Sequence, residues 1–181
     1  GLIATPSVSS VTPELDQGNR AVIDLLAEWL AEAGFRLEVM EVPGHPGKAN
    51  LSATLGSGPG GLVLAGHTDT VPYDAARWRH DPFRLTEEGG RLYGLGTCDM
   101  KGSLAVAMVI LKVLHEARVP FRVTLMLQAA MGEEMDEPGT RTLLRKGFTG
   151  DYAIVLEPTD LRIGPASRGV SWFKITLKGP S

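Results

Sequence analysis

The 181-residue sequence predicts an α/β protein, a three-layer sandwich with a mixed, largely parallel central sheet. Three observations point there. Apolar runs with strand character recur at 62–65, 123–127 and 152–156, and their continuous apolarity marks strands covered on both faces. Helix-patterned stretches separate them at 103–115 and 140–145. Strands that alternate with helices favour a single sheet with helices packed against it.

Taken in order, Asp16 or Asn19 can cap a helix in which Val22, Leu25, Leu26, Trp29, Leu30 and Ala33 form an apolar stripe, read as core. Gly34 is placed to end that helix. Phe35 to Val39 alternates as a half-exposed strand, the Pro/Gly loop 42–47 breaks it, and 50–55 forms the next strand. A glycine-rich turn at 56–61 leads into the buried strand 62–65. The stretch 72–90 is polar and too rich in turn signals for a regular element. Residues 103–115 are apolar almost all round, which predicts a buried helix. From Val170 to Lys178 the pattern changes: Phe173, Ile175 and Leu177 alternate with Trp172, Lys174, Thr176 and Lys178, as in a sheet with one wet face. One domain is therefore expected over 1–168, and the first strand of a second, mostly missing domain over 169–181.

The formal net charge of −3 gives no electrostatic footprint for nucleic acid or an anionic membrane. No apolar run approaches the roughly 18 residues of a membrane span, and the visible N-terminus carries no signal-peptide pattern. The single cysteine, Cys98, rules out an internal disulfide and fits a reducing compartment, so a cytoplasmic location is expected.

Chemistry concentrates where apolar runs end. Leu64-Ala65-Gly66-His67-Thr68-Asp69 finishes a strand on an imidazole and a carboxylate two residues apart. Side chains at i and i+2 of a strand share a side. Asp69 can then hold the second ring nitrogen of His67, as the partners of metal-bound histidines do. Glu133, Glu134 and Glu157 also follow apolar strand candidates, and Asp99 precedes the apolar helix, whose N-terminus favours a negative group. In open α/β sheets ligands sit beyond the carboxyl ends of strands, where these segments can converge. One histidine among several carboxylates suits zinc, and also cobalt or manganese. Two metals sharing a bridging Asp is the natural arrangement. Adjacent side chains diverge, so of Glu133 and Glu134 one can ligate while the other faces metal-bound water as general base. No HExxH helix, GxSxG elbow or P-loop motif is present.

The remaining candidates carry less. His45 lies in a Pro/Gly loop and is read as exposed, and His115 as structural at a helix C-terminus, where a cation is favourable. His80, beside Asp81-Pro82-Phe83, is a candidate substrate contact. Cys98 is read as a buried structural thiol, because no histidine is placed to activate it. Lys101 and Arg168 can meet a substrate carboxylate.

The run Gly66-His67-Thr68-Asp69-Thr70-Val71-Pro72, then Trp78 with Asp81-Pro82-Phe83, then Leu92-Tyr93-Gly94-Leu95-Gly96-Thr97-Cys98-Asp99-Met100-Lys101-Gly102, then Glu133-Glu134, then Glu157-Pro158-Thr159 resembles the M20 metallopeptidase family. The motifs stand in matching order over nearly the whole chain. Within the family they are most similar to the branch of acetylornithine deacetylases and succinyl-diaminopimelate desuccinylases. The resemblance implies two zinc ions, with cobalt as a possible substitute: His67 and Glu157 on one, Glu134 on the other, and Asp99 bridging both. Asp69 would orient His67, Glu133 would be the general base, and a cis peptide would follow Asp99. The implied reaction removes an acyl group from an N-acyl amino acid by attack of zinc-bound water. A dipeptidase or carboxypeptidase of the same family, and a non-catalytic binding protein that keeps the fold, are the alternatives. A further zinc-binding histidine and an oxyanion histidine are implied in segments missing here, the latter in an α+β lid/dimerisation domain. The expected partners are a small N-acyl amino acid or dipeptide and a second copy in a homodimer through that lid, with neither nucleic acid nor membrane.

Overall fold

In the structure, a computed structural model that describes residues 1–167, 169, 171, 173 and 175–179, the first helix forms where apolar residues recur at helical spacing. Helix α1 spans Arg20–Glu32 and buries Val22, Ile23, Leu26 and Leu30. It closes through Gly34 at φ +79°, and the Phe35 N–H donates back to the Leu30 carbonyl at 3.1 Å. Glycine enters that left-handed conformation without a Cβ penalty. Asn19 precedes the helix, but its side chain does not cap it.

Strands β1 (Arg36–Glu41), β2 (Ala49–Leu55) and β3 (Gly61–His67) follow, then a hairpin of β4 (Thr86–Glu88) and β5 (Arg91–Tyr93). Helix α2 (Lys101–Glu116), strand β6 (Thr124–Ala130), helix α3 (Pro138–Arg145) and strand β7 (Tyr152–Val155) complete the order. Five strands form one sheet arranged β1-β2-β6-β3-β7. Strands β6, β3 and β7 pair in parallel, while β2 is antiparallel to both its neighbours. Four strands thus point one way and β2 alone points back. The sheet is mixed and largely parallel, as the sequence predicts.

Strand alternation sorts the two faces. Ala49, Leu51, Ala53 and Leu55 of β2 join Leu125, Leu127 and Ala129 of β6 in one core with α1 and α2, whose Leu26, Leu30, Leu104 and Leu111 fill it. On the opposite face Met40, Ala130 and Leu143 of α3 form a smaller cluster with Phe148 against it. Helices on both faces make three layers.

Several expectations are corrected. The stretch 72–90 read as irregular contains β4 and the turn that joins it to β5, closed by Gly89 and Gly90 at φ +58° and +72°, the two-residue primed turn that suits strand twist. Trp29 is 36% exposed at the edge of the α1 stripe, which is wider than the face the sheet covers. Helix α2 buries Leu104, Ala107, Met108 and Leu111, yet Val106, Val109, Ile110 and Val113 are 59, 61, 51 and 56% exposed. Nothing in the described residues covers that side. Of the strand expected over 170–178, Val170, Trp172 and Lys174 lie outside the described residues, and the described ones carry no regular secondary structure. Among the described residues no helix is long and apolar enough to cross a membrane.

Candidate metal centre

Three parallel strands finish side by side. His67 of β3 pairs with Ala130 at the end of β6, and Ala65 with Val155 at the end of β7. The loops that leave them carry Asp69, Glu133 with Glu134, and Glu157 to one edge of the sheet, the edge where α/β folds bind ligands. Asp99 arrives from the loop before α2. That helix lies close on β3 because Gly66 has no side chain: a Cβ there would sit 2.8 Å from Leu104 Cδ2. The Asp99–Met100 peptide is cis, as the resemblance implies.

Around the buried His67 ring, Nε2 lies 3.0 Å from Asp99 Oδ1, 3.5 Å from Glu157 Oε1 and 3.8 Å from Glu133 Oε2. The other nitrogen, Nδ1, is 2.9 Å from the backbone carbonyl of Asp69 and 3.5 Å from its carboxylate. The main-chain carbonyl therefore fixes the ring, and the Asp69 carboxylate acts on it chiefly through charge. That carboxylate has other partners. It accepts the N–H groups of Gly132 and Glu133 on Oδ1 at 3.0 and 3.3 Å and that of Glu134 on Oδ2 at 3.2 Å. Asp69 thus ties the histidine strand to the glutamate loop, a task its sequence position does not reveal.

Protonation reflects this crowding. Burial pulls His67 down, but the Asp69 carboxylate, with Glu157 and Glu133, outweighs it and pushes the imidazole up to about 9. Burial opposes the Asp69 charge as well, yet His67 holds that carboxyl below its ordinary value. Glu134 is pushed up to about 7 by burial and by the charge of Asp99. Burial raises Glu133 and Glu157 too; Asp69, Glu137 and Asp99 add to the rise in Glu133, and Asp99 to that in Glu157. Carboxylates that resist ionising beside one imidazole are a set whose repulsion a cation relieves. Ligand atoms of His67, Asp99 and Glu134, and those of His67, Glu133 and Glu157, each gather within 4.8 Å. Nitrogen and carboxylate donors in these groups fit zinc, manganese or cobalt.

Other sequence candidates fall elsewhere. His80 pairs with Glu88 of the hairpin at 2.9 Å, its ring 4.7 Å from that of Tyr93. His115 lies in the last turn of α2, its ring centroid 6.2 Å from that of Phe35, and His45 lies in the loop 42–47. Lys101 is buried, not free to meet a substrate: its Nζ donates to the carbonyls of Thr5 at 2.7 Å and Leu2 at 3.3 Å. Arg168 lies outside the described residues. Cys98, read as a buried thiol, is exposed, because its loop runs over the surface on the way to Asp99. Sequence reasoning missed two buried asparagines behind the site. Asn19 bridges Ala49 and Thr68, with Nδ2 2.7 Å from Thr68 Oγ1. Asn50 reaches the glutamate loop. In the sequence Asn19 shows only as a cap candidate and Asn50 only as the polar first residue of a strand.

An α/β sandwich that gathers one histidine and four carboxylates beyond its parallel strands carries the donor set of a candidate carboxylate-rich metal centre. Residues 63–176 match the model of Peptidase family M20/M25/M40, and the chain belongs to that family. It is 47% identical over 183 residues to the acetylornithine deacetylase of Pasteurella multocida (strain Pm70), covering 99% of this chain and 47% of that one. It is 46% identical over 181 residues to the acetylornithine deacetylase of Proteus mirabilis (strain HI4320), with 99% and 46% covered. The chain thus spans about half the length of the curated relatives it matches. Among solved structures, the fold is similar to an M20 family metallo-carboxypeptidase, Sso-CP2, from Sulfolobus solfataricus, with TM-score 0.69 and 22% identity over 85% of this chain and 35% of the other. Human carnosine dipeptidase 1 is similar at TM-score 0.68 and 24% identity over 85% and 36%.

Proposed function

We propose that this chain is part of the catalytic domain of a metal-dependent amidohydrolase that removes an acyl group from an N-acyl amino acid. The observation that carries the reading is the convergence of His67, Asp99, Glu133, Glu134 and Glu157 at one sheet edge. The identity to acetylornithine deacetylases supports an acyl-amino-acid substrate. His67 with Glu157, and Glu134, would hold two zinc ions, with Asp99 shared and cobalt as a substitute. When bound, the metals would lower the pKa of water towards about 7 and polarise the scissile carbonyl. Glu133 takes the proton from the attacking water and returns it to the leaving amine. Its carboxyl suits that work, being partly exposed to incoming water and raised in pKa by burial, with the charges of Asp69, Glu137 and Asp99 adding to the rise. Asp69 keeps the imidazole and the glutamate loop in register.

In a protein of its relatives' length, further chain would complete the domain over the exposed side of α2 and add a lid through which two copies pair, beginning near residue 169. With Cys98 the only cysteine, the reading extends to a reducing compartment, the cytoplasm. The test is a hydrolysis panel on the complete gene product, stripped of metal and then reloaded with zinc or cobalt. The panel holds N-acetylornithine, N-acetylcitrulline, N-succinyl-diaminopimelate and several dipeptides. Metal-dependent release of an acyl group is the expected result. Cleavage of dipeptides alone would move the protein to the peptidase alternative. Silence together with failure to bind zinc would leave a non-catalytic binding protein.

A further inference from the structure

We propose that Asn50 is a positioning residue for the site: one side chain on β2 that closes the base of the loop carrying Glu133 and Glu134. The inference deepens the hydrolase reading and rests on it for its catalytic consequence. Asn50 is fully buried, and its side-chain hydrogen bonds go to the main chain of Met131 and Gly139 rather than to the groups around His67. Its Oδ1 accepts the N–H of Met131 at 3.0 Å, and its Nδ2 donates to the carbonyl of Gly139 at 2.9 Å. The Gly139 N–H in turn reaches the Met131 carbonyl at 3.2 Å. Met131 and Gly139 are the two ends of the glutamate loop, so a single amide fastens where the loop leaves β6 and where it enters α3.

The chemistry of the position is narrow. One partner is a donor and the other an acceptor, so the side chain must offer an acceptor and a donor on one fork of this reach, which an asparagine amide does. Gly139 is matched to it. A Cβ there would lie 2.3 Å from the Met131 carbonyl oxygen and 2.6 Å from Asn50 Oδ1, so any side chain pries the base open. The free end of the loop hangs on Asp69 through the amides of Gly132, Glu133 and Glu134. Base and tip are thus pinned separately, by Asn50 and by Asp69. Loss of the base pin frees both glutamates to drift, and small displacements of reacting groups are costly to turnover.

The experiment compares Asn50→Leu and the near-isosteric Asn50→Asp, which keeps an acceptor for Met131 but loses the donor to Gly139. Gly139→Ala opens the same base from the other side. Leu26→Ala, in the α1 core, is the control for general loss of stability. Hydrogen exchange is followed in the metal-free protein, comparing amides of 131–139 with those of 61–67. The three base variants should speed the loop relative to β3 by about tenfold or more, whereas Leu26→Ala should leave that ratio unchanged. In the metal-loaded complete protein, Asn50→Leu should lower kcat by about tenfold with KM changed less than about threefold, and Leu26→Ala should keep kcat. An unchanged exchange ratio in the base variants would overturn the proposal, as would an equal change in Leu26→Ala. If the wild-type protein hydrolyses nothing on the panel and binds no zinc, the hydrolase reading falls, and exchange alone decides the clamp.

Discussion

His67 is 1% exposed, and three carboxylates stand within 4.0 Å of its Nε2, so without metal the site must hold protons to limit repulsion. The imidazole is pushed up to about 9 from its ordinary 6.5, burial being outweighed by Asp69 and its neighbours, and Glu134 up to about 7 from 4.5 by burial and Asp99. Both shifts have the same sign. The folded state binds more protons than the unfolded one, so each contribution is fully present below the ordinary value and lost as pH rises through the raised one. For Glu134 the loss runs from about 4.5 to 7, and for His67 from about 6.5 to 9. The melting temperature of the metal-free protein should therefore fall from pH 5 to pH 9 on account of this site. Metal binding displaces those protons, so the stabilisation by zinc should grow over the same range. Thermal melts with chelator and with zinc check this, and a metal-free melting temperature that climbs steadily to pH 9 would contradict it. Glu133 has a separate signature. Glu133→Gln in the complete protein should lower kcat by about 10²–10⁴-fold while zinc content, measured by atomic absorption, stays at the wild-type level. Near-normal turnover would remove Glu133 from the base role.

At the scale of elements, what the sequence reveals depends on whether a residue's partner is near in the chain. The helices and sheet strands are legible because their periodicity is local, and the ends of β3, β6 and β7 at His67, Ala130 and Val155 fall within three residues of the ends of the apolar runs 62–65, 123–127 and 152–156. The β4–β5 hairpin escapes, since its three-residue strands carry Glu87, Glu88 and Arg91 and bury almost nothing. The acids that gather at His67 are visible as motif ends. The residues behind them are not: Asn50 meets partners at 131 and 139, and the Asp69 carboxylate meets amides at 132–134. No spacing rule on one strand announces contacts that distant. Gly66 belongs to this hidden set, its lack of a side chain serving the approach of α2 to β3. Gly66→Ala would press a Cβ against Leu104 and the Met100 side chain, pushing out the helix start that carries Asp99. Overpacking of this kind costs about 1–3 kcal/mol, and it should also weaken zinc binding measured by competition with a chromogenic chelator. A variant that loses stability but binds zinc as tightly as wild type would uncouple the packing of α2 from the site.

For the whole molecule, the unevenness of burial is the informative quantity. One face of α2 and the sheet beneath it form a dense core, yet Val106, Val109, Ile110 and Val113 on its other side stand open. Beside them Ile154 of β7 is 51% exposed, and a groove of about 890 Å³ runs between the helix and the strand past Leu114, Phe121 and Leu125. Soluble monomers rarely leave so continuous an apolar surface uncovered. Relatives of about twice this length have further chain with which to cover it. The consequence separates two samples. In this chain alone, Val109→Lys with Val113→Lys should reduce self-association in sedimentation and lower the binding of a hydrophobic dye. In the complete protein the same pair should destabilise the fold by about 1–3 kcal/mol, because charges would then be buried without partners. Denaturant titration of both samples reads the difference. Should the substitutions prove neutral in the longer protein, the face of α2 is open there too, and its apolar character would need a partner molecule to account for it.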